Sequence, residues 1–236
     1  MKKIINIYIF VLIMISSSIY SQEEYFFGAN ANYLIPIGSF SNRFENSVGT
    51  TIYFGKKIST DFSWVGKLDY MKFDKLNNEK LSKKVSAEIN DVKLFYNIPL
   101  EKLEMEFEAI GLLAEAKWGL VNSSFGEISL SIGFGFYQWE SFRSSYIDTI
   151  SVIPSEGDSP IVIKEFNVPE NNQKDWNGGI NLGLAADINI IGPLQFNFGG
   201  YYKIIIGELW PALSLDIENV SGIQMINVSV GLKYNL

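Results

Sequence analysis

The sequence predicts an all-β chain, an eight-stranded antiparallel up-and-down transmembrane β-barrel. Three observations predict it. Apolar and polar residues alternate with a period of two in segment after segment. The connections between those segments are alternately tight and long. Beyond the N-terminal stretch no apolar run is long enough for a membrane-crossing helix, so insertion requires strands.

Composition narrows the chemistry before any element is placed. The 236 residues are 47% hydrophobic and 19% charged, with no Cys and no His. Soluble domains carry roughly 25% charged residues, so this chain is poor in charge. Without Cys there is no disulfide framework, thiolate nucleophile or lipidated N-terminal cysteine. Without His, Ser-His-Asp and Cys-His catalysis and His-ligated metals are excluded. The expectation is a protein that is not an enzyme and uses no cofactor or metal.

Residues 1–21 read as a secretory signal peptide. Lys2 and Lys3 form the basic start, residues 4–15 the apolar stretch, and Ser16, Ser17, Ser18 and Ser21 the small residues before a cut between Ser21 and Gln22. An uncleaved anchor is the competing reading, but the stretch is short for the ~20 apolar residues of a spanning helix. Residues 22–236 are then one barrel domain. Losing Lys2 and Lys3 from 19 basic residues leaves 17 against 26 acidic ones, a net charge of −9. That acidity speaks against nucleic acid as a partner.

The elements follow in order. Residues 25–35, 48–57 and 62–73 are the least regular strands, the last mixing Lys67 and Asp69 with Trp64, Leu68 and Tyr70. Next, Ile110, Leu112, Ala114, Ala116, Trp118 and Leu120 alternate with Gly111, Leu113, Glu115, Lys117 and Gly119. Ile128 to Phe136 alternates with Ser129, Ser131, Gly133 and Gly135, and Ile180 to Ile190 with Asn181, Gly183, Ala185, Asp187 and Asn189. The last two strands set Phe196, Phe198, Tyr202 and Ile204 against Asn197, Gly199, Tyr201 and Lys203, then Ile226 to Leu236 against Asn227, Ser229, Gly231, Lys233 and Asn235. Strands of about ten residues suit a tilted membrane strand.

Residues 58–61, 122–126 and 192–193 make tight links. Residues 36–47, 74–102, 142–176 and 208–222 make long ones. This order fits short periplasmic turns, long outer loops and both termini in the periplasm. Residues 85–98 have strand character but fall in the second loop, because the parity of turns then closes. The polar face is mostly Gly, Ser and Asn, which fits a narrow filled interior. The apolar face, with Tyr25, Phe62, Trp118 and Tyr234 near segment ends, fits a lipid-facing band with aromatic girdles. An exported β-sandwich or a soluble lipocalin-like barrel would share the alternation but not this polar face.

The last eight residues carry a family resemblance. Ser229, Gly231, Tyr234 and Leu236 fill the places of the C-terminal β-signal of bacterial outer-membrane barrels, with Leu236 where Phe is more common. With the leader, residues 23–236 resemble the OmpA/OmpX-like porin family of eight-stranded outer-membrane barrels. Residues 34–41 (LIPIGSFS) are similar to the first strand and loop of barrels from Bacteroidetes-like bacteria. The resemblance implies residence in the outer membrane of a Gram-negative bacterium, contact with its lipid, and insertion by the barrel-assembly machinery. It implies no particular ligand.

Candidate site residues follow from parity. Lys67, Asp69, Glu115, Lys117, Asp187, Lys203 and Lys233 point inward, and four bases beside three acids in a narrow lumen are expected to pair as a plug. An ion path is the alternative. The third loop carries Asp148, Glu156, Asp158, Glu165, Glu170 and Asp175, without the spaced ladder of a calcium loop. The second leans basic through Lys75, Lys80, Lys83, Lys84, Lys93 and Lys102, read as a solvated face. Gly133, Gly135, Gly199 and Gly200 sit within strands and are read as room for neighbouring lumen side chains or as points of curvature, not phosphate loops. Glu106 and Glu108 share a strand face with no sugar cleft around them. The expected function is structural or surface interaction, with an extracellular partner met through the long loops; a narrow porin is the alternative.

Overall fold

The computed structural model describes residues 24–89, 92–100, 102–152, 161–211 and 217–236. The proposed leader, with its cut after Ser21, lies outside the described residues, as do Glu156 and Asp158. Eight strands close into a ring: β1 (Tyr25–Ile37), β2 (Ser47–Ser59), β3 (Phe62–Phe73), β6 (Met105–Ser123), β7 (Gly126–Arg143), β10 (Asn171–Ile191), β11 (Leu194–Leu209) and β12 (Val220–Asn235). Every neighbour is antiparallel. β1 closes the ring on β12 through pairs running from Phe26 with Asn235 to Ile37 with Gln224. Closure leaves no sheet edge, which is the condition for a sheet to sit in lipid.

Two further hairpins stand apart from the ring. β4 (Ser82–Ile89) pairs with β5 (Val92–Pro99), and β8 (Tyr146–Val152) with β9 (Ile161–Val168). The first occupies residues 85–98, which the parity argument assigns to the second loop. The second departs from the expectation of a plain connection: the third loop contains a hairpin. The strands are also longer than the expected ten residues, reaching 19 in β6, 18 in β7 and 21 in β10. The third connection is correspondingly shorter than residues 142–176. Asp175 belongs to β10, Asp148 to β8 and Glu165 to β9.

The outward face explains the extra length. Leu112, Phe134 and Phe136 are 68%, 63% and 67% exposed, within a continuous apolar belt that water would not tolerate on a soluble protein. On β6 the belt runs from Trp118 to Ile110, and Glu108 and Glu106 follow. With about 3.3 Å rise per residue and a strand tilt near 40°, such a run spans about 20–25 Å, the height of a barrel's lipid band. Beyond it the outward residues turn charged. Lys72 lies 3.1 Å from Glu106, and Lys174 lies 2.8 Å from Glu140. At the other end Phe62, Trp64 and Trp118 cluster, with ring centroids 5.4 Å apart, and Phe27 packs on Tyr234 at 5.5 Å. This is an aromatic girdle at the tight-turn end.

Candidate functional site

What fills the interior changes along the barrel axis. Near the tight turns it is a charged layer. Lys117 of β6 and Lys233 of β12 converge on one carboxylate, Asp187 of β10, at 2.6 and 2.9 Å. Asn197 donates to the other oxygen of Asp187 at 2.5 Å, and Asn30 donates to Asn197 at 2.7 Å. The Lys233 ammonium also sits 4.4 Å from the Phe26 ring centroid. Each ion is buried, and a buried ion without its partner is costly, so the shared carboxylate binds three strands into one arrangement.

Farther from the turns, Lys67 meets Glu115 at 2.6 Å and lies 4.6 Å from the Tyr201 ring centroid. Above it Asp69 of β3 gathers side chains from three other strands, the neighbouring β2 and the more distant β7 and β11. Lys203 donates to it at 2.6 Å, Thr51 at 2.7 Å and Tyr137 at 3.1 Å. Asn32 donates in turn to Thr51 at 2.8 Å. All seven charged residues singled out from the sequence thus lie inside, in three clusters. Sequence reasoning does not single out Asn30, Asn32, Thr51 or Tyr137 as members. Tyr137, Asn197 and Tyr201 follow from the same period of two as the lysines.

Glycines make room for the inward rings. Gly111 and Gly179 lie against the two edges of Tyr137, and Gly183 and Gly199 against Tyr201, where a Cβ would overlap the ring. The gap left in this layer, bordered by Asp69, Lys203 and Asn227, is about 10 Å³. A vestibule of about 410 Å³ opens below it at the turn end, lined by Lys117, Glu127 and Lys233 among others.

Toward the long loops the interior is apolar, which corrects the expectation that polar residues fill it throughout. Leu34, Met71, Leu113, Ile205, Ile223 and Met225 are buried there. Phe107 packs on Trp139 at 5.8 Å between ring centroids, and Phe40 of the first loop packs on Phe44, Phe73 and Phe107 at 5.0–5.3 Å. Loops close the mouth, with Leu81, Leu100, Leu103, Val168 and Ile217 joining the same cluster. These side chains are buried against one another and pack as an ordinary core. The chain's two arginines hold this cap. Arg43 donates to the carbonyls of Trp210 at 2.8 Å and Glu218 at 2.6 Å, and Arg143 to that of Pro169 at 3.3 Å. Burial and the nearby Arg143 charge pull the Arg43 guanidinium down to about 10.

The proposed assembly-signal residues divide between the two faces of β12. Ser229 is buried inside and Gly231 faces the Asn30 backbone, while Tyr234 and Leu236 point outward. The Leu236 amide donates to the Tyr25 carbonyl at 2.7 Å, tying the chain end to the start of β1. In the loops, Lys80 donates to Ser41 at 3.2 Å. Among the described residues no group of three or more acidic side chains is arranged to hold a metal ion. Glu106 and Glu108 stand on the outward face of β6, away from the interior.

No family model matches the chain, and no curated protein matches it. Solved structures do. A major outer membrane protein from Thermus thermophilus aligns over 92% of this chain and 100% of its own at 7% identity, with a TM-score of 0.48. Ail, the attachment invasion locus protein of Yersinia pestis, aligns over 91% and 97% at 10% identity, TM-score 0.44. Neisserial surface protein A aligns over 89% and 96% at 11% identity, TM-score 0.42.

Proposed function

We propose that this chain is a bacterial outer-membrane barrel with a sealed interior, which anchors and displays its long loops at the cell surface. The observation that carries the reading is the double seal: a charged layer with a gap of only about 10 Å³ under an apolar plug. A barrel so filled is a scaffold, and what differs from its surroundings is the surface it carries outward. The two hairpins β4–β5 and β8–β9 extend that surface. The tight turns face the periplasm, the belt meets lipid, and the Ser229, Gly231, Tyr234 and Leu236 pattern addresses the chain to the assembly machinery. The role we read for it is binding, since without His or Cys neither Ser-His-Asp nor Cys-His catalysis is open to it. The vestibule at the turn end favours one second reading, a narrow porin.

Epitope insertion tests the display. A tag between Ile89 and Val92 is expected to bind antibody on intact cells, and a tag in the turn at Gly192 only after permeabilisation. The opposite pattern, or a soluble periplasmic protein on fractionation, overturns the reading.

A further inference from the structure

Between the Lys67–Glu115 and Lys203–Asp69 pairs, four asparagines border the gap of about 10 Å³; the Asn32 oxygen already accepts from Asn227, and the other three stand on three different strands. They are Asn30 of β1, Asn181 of β10 and Asn227 of β12, each more than nine-tenths buried. Two of their amide nitrogens are committed: Asn30 donates to Asn197 at 2.7 Å and Asn227 to Asn32 at 3.3 Å. The side-chain oxygens of all three have no hydrogen-bond partner among the described residues. Buried acceptors of this kind are almost always paired, and the usual partner where protein supplies none is an ordered water.

We propose that this gap is a binding site for a single water molecule, held at the centre of the barrel by the three asparagine oxygens. Size fits, since a cavity of roughly 10–15 Å³ is what one water requires. Charge selects against the alternatives. The two ammonium groups at the gap, Lys67 and Lys203, are each paired with a carboxylate, Glu115 and Asp69, so no net negative charge is left to hold a metal cation. Three carbonyl-type oxygens repel an anion. Water donates to two of the three amide oxygens at a time and accepts an N–H from a neighbouring lysine, a mix of donor and acceptor that neither a cation nor an anion offers. It also completes a polar chain. From Asp187 the hydrogen bonds pass through Asn197 to Asn30, and the water carries them on to the cluster around Asp69.

A high-resolution crystal structure of the full barrel, with a parallel crystal soaked in rubidium chloride, tests the site. The expected result is one density peak about 2.7–3.2 Å from at least two of the three oxygens, unchanged by rubidium. An anomalous signal at that point makes it a cation site and overturns the proposal, as does a gap without density. Asn181→Leu should remove the peak while the folded barrel keeps its heat-shifted gel mobility. Should that variant fail to fold, NMR of the unaltered protein takes its place. Exchange cross-peaks between a long-lived water and the Asn30 or Asn227 amide protons support the site, and their absence counts against it.

Discussion

Compared end to end, the barrel interior is built from opposite materials. At the tight-turn end Asp187 is shared by Lys117 and Lys233, and each side chain has one place it can go. At the loop end Phe40, Phe107 and Trp139 pack against Met71, Ile205 and Met225, where similar apolar side chains could exchange. The charged half fixes which strands face one another across the lumen, because a slipped register would strand an ion. The apolar half excludes water and lets the loops fold down onto the mouth. Specific registration and, on the reading proposed above, sealing are thus assigned to different ends of one interior.

The sharpest way to break the comparison is to remove the shared counter-charge. Asp187→Ala leaves two buried ammonium groups, and the expected loss is about 4 kcal/mol, read from urea unfolding of the barrel in lipid vesicles. Replacing Asp187, Lys117 and Lys233 together by Met should recover most of it, because the cost lies in unpaired ions and not in lost attraction. At the loop end Phe107→Ala opens a cavity in the plug. It is expected to cost about 3 kcal/mol by the same measurement, while the charged layer is untouched. Equal losses from the Asp187 triple variant and from Asp187→Ala would contradict the division of labour. The smallest effect is expected outside: Lys174→Ala removes the exposed partner of Glu140 and should leave the unfolding midpoint unchanged.

The two halves also differ in how far they can be read from sequence. Where one face is polar, a period of two is visible, so β12 from Asn227 to Asn235 and β10 from Ile180 to Asn189 are legible, and with them Lys233 and Asp187. Toward the loops both faces are apolar. Ile204, Ile205 and Ile206 follow one another, as do Leu112 and Leu113, and Met225 and Ile226, so the period disappears where the plug begins. Such unbroken apolar runs at the loop ends of strands are the available signal for an apolar mouth. Strand length is hidden for a related reason. Beyond the belt, the outward residues of β6, β7 and β10 become Glu108, Glu106, Glu140 and Lys174, which reads as a loop although the ladder continues. The asparagine cluster needs register as well as parity, because Asn30, Asn181 and Asn227 meet only once the ring has closed.

The central claim is the seal, and conductance across a planar bilayer tests it most directly. The purified barrel, folded as judged by its heat-shifted gel mobility, should insert without stable, ion-selective current steps at any polarity. Large reproducible channels from the unaltered protein would contradict it, since neither the filled charged layer nor the apolar plug leaves a path for ions.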